Sequence, residues 1–215
     1  MQNKVAQIFD FMKILDKVCL VKRATLLSDG TSETDSSHTF KLMFWVMLVY
    51  PYLKHQYNYT RLLELALVHD IAEAETGDCP KSVQYAHPET KQLKKEQELA
   101  AMQKYRDMLP AEIGKLVFEL YREYEEKQTP EARLVTALDK VDANLQANFY
   151  HDGDVRYGLK CEDGEQYRRI NTEKKNAVAI LDEKFVEELE KGTIAVSKEN
   201  MRRCSDVFGN LSELE

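Results

Sequence analysis

Long apolar runs, paired cysteines and a basic stripe are all missing from this chain of 215 residues. A bilayer span needs about 18 consecutive apolar residues, and the longest apolar run, at 42–50, falls well short of it. Residues 1–10 lack the uninterrupted apolar core of a secretory signal, so a cytoplasmic protein is expected. The four cysteines (Cys19, Cys79, Cys161 and Cys204) are far apart and show no C-x-x-C spacing. Reduced thiols are therefore expected rather than a disulfide or a zinc site. Lys and Arg number 30 against 37 Asp and Glu, giving a net charge of −7 with no continuous basic stretch. That balance argues against a nucleic-acid polymer, which needs clustered phosphate contacts. It is compatible with a small anionic substrate, because a bound cation or two local bases reverse the sign of a pocket. Repeats, low-complexity tracts and strand pairs with hairpin signals are not apparent either.

What is present is helical spacing. Val5, Ile8, Phe9, Met12 and Leu15 follow the i, i+3, i+4 rule of an amphipathic helix. A stretch rich in turn residues, 28–37, reads as a loop. A second helix is expected from about Ser37 to Lys54, with His38 in its first turn. It is apolar almost all round and so expected at the centre of a bundle. A third is expected from Thr60 to about Thr76, ended by Gly77. A charged helix at about 89–108 and another from near Pro110 follow. The next starts with Thr129 as cap and Pro130 in its first turn, and carries Leu134, Val135, Leu138, Asp139, Val141 and Leu145. Residues 152–175 read as a polar loop, 177–189 as a last amphipathic helix, and the stretch after Gly192 as a weakly patterned tail. The expected class is all-α, a single-domain helical bundle over 1–191 with a tail at 192–215.

Chemistry concentrates in Leu65-Ala-Leu-Val-His69-Asp70-Ile-Ala-Glu73-Ala-Glu-Thr-Gly-Asp78. An apolar helix here admits an imidazole and a carboxylate side by side. A buried ionised carboxylate without a partner costs several kcal/mol, so something must compensate it. A metal ion would do so, with His69 and Asp70 as ligands. Glu73 follows His69 by four residues and Asp70 by three, the spacing of one helix face. A His-Asp pair alone is equally well a hydrogen-bonded pair or a cap. The pattern sharpens because His38 opens another apolar helix and Asp139 lies among apolar neighbours on a third.

With those four residues in order, the sequence resembles the HD-domain phosphohydrolases, whose pattern is His…His-Asp…Asp. It is most similar to their 5′-deoxynucleotidase-like branch, through Leu-Val-His69-Asp70-Ile-Ala-Glu73, Thr76-Gly77-Asp78 and Ala137-Leu138-Asp139-Lys140, over roughly residues 10–190. The resemblance implies an all-helical HD-domain bundle with His38, His69, Asp70 and Asp139 holding one divalent ion, Mn, Co, Mg, Fe, Ni or Zn. It implies a 5′-nucleotidase-type phosphomonoesterase of nucleotide metabolism, releasing phosphate from (deoxy)nucleoside 5′-monophosphates by attack of a metal-activated water. A homodimer with no membrane partner is also implied. Glu73 and Asp78 match the family's catalytic carboxylates. Glu73 is expected in proton transfer, and Asp78 either there or against a sugar hydroxyl.

Selective members carry an Arg-Trp pair where this chain is aligned at Lys17-Val18. Val18 lacks an indole's bulk, so weak discrimination against ribose is expected. Lys17, Lys22, Arg23 and Lys81 are the bases nearest the motifs, and Lys17, Arg23 and Lys81 are the expected substrate-binding residues. Only His87 lies between the His-Asp pair and Asp139, too few extra histidines for a two-metal set. Two other readings stand beside this one. Hydrolysis of a triphosphate or cyclic nucleotide would favour a larger basic cluster. A catalytically silent nucleotide- or metal-binding regulator would have little use for Glu73 and Asp78.

Overall fold

Asn3 opens the first helix by accepting a hydrogen bond from the Val5 amide at 3.0 Å, a role suited to its short side chain. From there α1 runs Lys4–Val18 in a computed structural model that describes residues 3–79, 88–149, 181, 184–188 and 191. The helix is present as expected, but its buried face is Phe11, Ile14 and Val18. Val5, Ile8, Phe9 and Met12 are exposed. The segment carries two apolar stripes, and periodicity alone does not say which of them faces a neighbour.

The stretch expected as a loop is more ordered than its composition suggests. Strands β1 (Lys22–Leu26) and β2 (Ser32–Thr34) pair in a two-stranded sheet. Asp29 accepts from the Thr31 amide at 2.9 Å and from its hydroxyl at 2.7 Å. Gly30 takes φ +77°, a conformation that costs a residue without Cβ little. Helix α2 (Asp35–Val49) follows β2 directly. The Ser37 amide donates to Thr34 Oγ1 at 3.2 Å and the Thr34 amide to Ser37 Oγ at 3.1 Å, a reciprocal cap. The helix therefore starts two residues earlier than expected and carries Asp35 in its first turn. It is not buried all round: Leu42, Val46 and Val49 are buried, whereas Phe40, Phe44, Met47 and Leu48 are exposed.

Helix α3 (Tyr59–Val68) is capped by Asn58, whose side chain accepts from the Arg61 amide at 3.1 Å. Asn58→Ala should lower stability by about 1 kcal/mol, read as a shifted denaturant midpoint with an unchanged slope. The single helix expected to reach Thr76 is broken. After Val68 the backbone tightens to i→i+3 bonds, from Ile71 to Val68, Glu73 to Asp70, Ala74 to Ile71 and Glu75 to Ala72, all 3.0–3.3 Å. The one-turn helix α4 (Glu73–Thr76) follows and ends at Gly77, which has φ +72° and donates to the Glu73 carbonyl at 2.8 Å. Helices α5 (Pro88–Met108), α6 (Ala111–Glu126) and α7 (Pro130–Phe149) lie close to their expected bounds. Thr129 Oγ1 accepts from the Ala132 amide at 3.2 Å, the anticipated cap of α7. Residues 184–188 are helical. Leu181, expected in the same helix, instead forms an isolated antiparallel bridge with Leu53, whereas the other residues of 177–189, the loop at 152–175 and the tail at 192–215 lie outside the described residues. No helix among the described residues is long and apolar enough to cross a membrane.

The chain divides into two units. The first comprises Met1–Arg23, Thr34–Val46 and Tyr57–Thr136. Its core joins Phe11, Ile14 and Val18 of α1 to Ile71 and Ala72, to Ala101, Met102 and Tyr105 of α5, and to Tyr121 of α6. Phe11 meets Tyr105 edge to face, with centroids 5.8 Å apart. In this unit α5 packs on α6, α3 on α6, and α4 on α1 and α5. The second comprises Ala24–Glu33, Met47–Gln56 and the chain from Ala137 onward. Its buried residues include Leu26, Leu138, Val141, Leu181 and Val186. Gln146 donates to the Leu26 carbonyl at 2.6 Å, and Tyr52 stacks on Phe185 at 4.5 Å. Apart from the hairpin, the all-α expectation holds.

Candidate functional site

The site in the first unit is built where α3 gives way to the tighter turn. His69, the residue after the last of α3, is 4% exposed. Its Nδ1 lies 2.8 Å from the Ala66 carbonyl oxygen. A carbonyl can only accept, so Nδ1 carries a proton, and Nε2 is the nitrogen free to take a metal ion. That Nε2 is buried and makes no hydrogen bond, yet Asp70 Oδ2 stands 2.9 Å away. A contact this short needs positive charge between the two atoms, from a second imidazole proton or from a bound metal ion. A backbone carbonyl fixing one ring nitrogen while the other meets a carboxylate is the arrangement that metal-binding imidazoles adopt. The residues present therefore fit a divalent ion. His38, fully buried in the first turns of α2, places its ring 5.3 Å from that of His69. Tyr124 of α6 packs edge-on against His69 at 5.5 Å and restricts its rotation.

Three carboxylates meet beside the imidazoles. Asp35, Asp70 and Glu73 each offer an oxygen within 4.8 Å of the others. Arg23 bridges two of them, donating to Asp70 Oδ2 at 2.9 Å and to Asp35 Oδ1 at 3.3 Å. Lys94 reaches over from α5 to Glu73 Oε1 at 2.7 Å. Such crowding separates the acids by environment. Burial works against the charge on Asp70, but His69, Arg23 and His38 overcome it and hold its carboxyl well below the usual range. Burial and the Asp70 charge push Asp35 up to about 6 against the pull of Arg23. The same two influences push Glu73 up to about 10, with Lys94 opposing them. One neutral acid beside one firm anion suits proton donation next to a cation site.

Of the residues expected from sequence, His38, His69, Asp70, Glu73 and Arg23 come together in this unit. Asp78 is half-buried two residues beyond α4, and its charge acts on Asp35 and Glu73. Lys17 pairs with Glu75 at 3.3 Å on the surface, and Lys22 is exposed. Lys81 and His87 lie outside the described residues. Asp139 belongs to the second unit, where it is 5% exposed on α7 and meets Lys140 at 2.5 Å. Cys19 and Cys79 are free thiols. Sequence reasoning missed Asp35 and Lys94. Thr34-Asp35 ahead of an apolar helix was a legible capping signal. Lys94 was hidden by its charged surroundings on α5.

A family model described as HD domain matches residues 15–181. The 5′-deoxynucleotidase HDDC2 of Xenopus laevis is 31% identical over 70% of this chain and 73% of its own length. The human protein of that name is 33% identical over 56% of this chain and 55% of its own length, so the match spans about half of it. The 5′-deoxynucleotidase VV1113 of Vibrio vulnificus is 31% identical over 63% of this chain and 72% of its own. A predicted metal-dependent phosphohydrolase from Magnetospirillum magnetotacticum has the same fold, with a TM-score of 0.69, 22% identity, and coverage of 93% of this chain and 96% of that one. With the His-Asp pair at the end of α3 and a family match over most of its length, the chain belongs to the HD-domain family.

Proposed function

We propose that this protein is a metal-dependent phosphohydrolase that removes phosphate from (deoxy)nucleoside 5′-monophosphates. The observation that carries the reading is the bare Nε2 of His69 beside Asp70 Oδ2, in a pocket that also holds an uncharged acid and a guanidinium. The proposed ligands of one divalent ion are His38, His69, Asp70 and Asp139. The burial of Asp139 among apolar residues of α7 supports its inclusion. Of the candidates Mn, Co, Mg, Fe, Ni and Zn, two imidazoles with two carboxylates suit the transition metals better than Mg, which prefers all-oxygen ligands. When bound, the ion supplies positive charge that offsets the repulsion between an incoming nucleophile and the phosphate dianion.

The chain's own groups do the rest. Arg23 presents a planar donor fork for phosphate oxygens, at the cost of loosening its hold on Asp35. Lys17 and Lys81 are the other proposed substrate contacts. Water adds to phosphorus as the ester P–O bond breaks, the departing oxygen, a strong base, takes the proton of the Glu73 carboxyl, and a proton released from the added water restores that carboxyl. Asp78 contacts a sugar hydroxyl or shares in the proton transfer. The same reading makes the protein a cytoplasmic homodimer, with residues 1–191 as the catalytic domain and 192–215 as a tail. The exposed apolar side chains Phe9, Phe40 and Phe44 support the dimer.

The test is phosphate release from deoxy- and ribonucleoside 5′-monophosphates, using protein stripped of metal and then given Mn²⁺, Co²⁺ or Mg²⁺. Release should appear only with metal. Ribonucleotides should be cleaved within about 10²-fold of their deoxy counterparts, since Val18 lacks the bulk to exclude a 2′-hydroxyl. No release from any monophosphate, with metal bound and the fold intact, overturns the proposal.

A further inference from the structure

We propose that Lys94, tethered by Glu98, is a positioning residue for Glu73: it occupies Oε1 and leaves Oε2 as the oxygen that handles the reaction's proton. The assignment deepens the phosphohydrolase reading and rests on it for what the proton does.

Helix α5 is mostly a solvated helix, and a lysine on it would ordinarily point to water. Lys94 does not. Its side chain is 16% exposed, and Nζ lies 2.7 Å from Glu73 Oε1 and 3.4 Å from Glu98 Oε1 one turn further along, where Glu98 is equally buried. Lys115 and Glu119 on α6 show the usual alternative, a loose pair at 3.7 Å with side chains 73% and 55% exposed. Burying an ammonium and two carboxylates costs more than leaving them in water, so the arrangement is hard to explain as a stabilising contact.

Its geometry has a chemical consequence. An oxygen that already accepts from an ammonium is the less basic of the two in a carboxyl group, so the proton goes to the other. Glu73 Oε2 is buried and makes no hydrogen bond. Donation by Lys94 to Oε1 therefore directs the proton to Oε2, in the pocket that Glu73 shares with the carboxylates of Asp35 and Asp70. Without that anchor, α4 is a single turn of four residues and gives the side chain little support. The outer side of the turn is held separately, by Lys17 and Lys104 on Glu75 at 3.3 and 3.1 Å. Glu98 prevents the lysine from swinging away and so acts at one further remove.

The test uses the metal-loaded full chain, with Lys94→Met, Lys94→Arg, Glu98→Gln and Glu73→Gln. Lys94→Met should lower kcat about 10²-fold with KM changed less than about twofold and metal content equal to wild type. Lys94→Arg should recover part of the loss, and Glu98→Gln should lose about tenfold. In the Glu73→Gln background, Lys94→Met should cost nothing more, because the group it positions is gone. A crystal structure of Lys94→Met should show the Glu73 carboxylate rotated while α4 keeps its backbone. Losses that multiply in the double variant, or a raised KM with unchanged kcat, would overturn the proposal. So would a Glu73 carboxylate that stays in place without Lys94. Wild-type protein that cleaves no monophosphate removes the nucleotidase reading instead, and the crystal comparison alone then decides the positioning role.

Discussion

Asp70→Ala should reduce phosphate release by roughly 10³-fold or more and leave the protein unable to retain its metal, and at neutral pH the metal-free variant should melt below metal-free wild type. The first half follows from the 2.9 Å approach of Asp70 Oδ2 to His69 Nε2, which makes this carboxylate the partner that a bound cation requires. The second half follows from its neighbours. The Asp70 charge is among the causes that raise both Asp35 and Glu73. With Glu73 uncharged, removing Asp70 relieves only its repulsion with Asp35, and it gives up the stronger attraction of Arg23 that holds the Asp70 carboxyl ionised. Wild type, in contrast, should gain stability on adding metal, by an amount that grows with free metal concentration, and the variant should not. Metal content by atomic emission, phosphate release and melting with and without Mn²⁺ check all three. A variant that keeps its metal, or that melts no lower than metal-free wild type, would show that Asp70 does not play this part.

Gly114→Ala should be the most destabilising conservative change in the first unit. Gly114 is buried near the start of α6, against the end of α5. A Cβ added there would lie 2.1 Å from the carbonyl oxygen of Arg106 and 3.0 Å from its carbonyl carbon. Backbone atoms cannot rotate aside as a side chain would, so α5 and α6 must separate. Helix propensity favours alanine over glycine by about 1 kcal/mol, but overpacking against fixed backbone costs about 3 kcal/mol or more. The clash wins. In a protein of this size, a net loss of about 2 kcal/mol lowers the melting temperature by roughly 4–8 °C. An unchanged or higher melting temperature would mean that the two helices can shift without loss.

Sequence and structure agree where the physical signal is periodic or chemical. The helix caps at Thr129 and Gly77, the bounds of α5 and the gathering of His38 with His69 and Asp70 were all legible. Three features were not, each for its own reason. The hairpin was announced by Asp29-Gly30, a strong turn dipeptide, but Ser32–Thr34 is too short and polar to show alternation. The buried face of α1 was ambiguous because hydrophobic residues cover more than one side of it, and only tertiary packing chooses among them. Lys94 was illegible in principle. Nothing local distinguishes the one lysine that turns inward from others on the same charged helix, since its partner lies 21 residues earlier in the chain.

The break after α3 gives the His-Asp motif a rotational offset. Four residues of α-helix bring a side chain back to within about 40° of its starting direction, whereas four residues at three per turn leave it about 120° away. The stretch 69–72 thus acts as a phase shifter between two halves of one motif. His69 looks toward α2 and α6, and Glu73, four positions on, looks toward α5. Were the helix continuous, imidazole and acid would crowd one wall and compete for the same ion. With the shift, one short stretch of chain supplies a ligand to one side of the pocket and a proton donor to another.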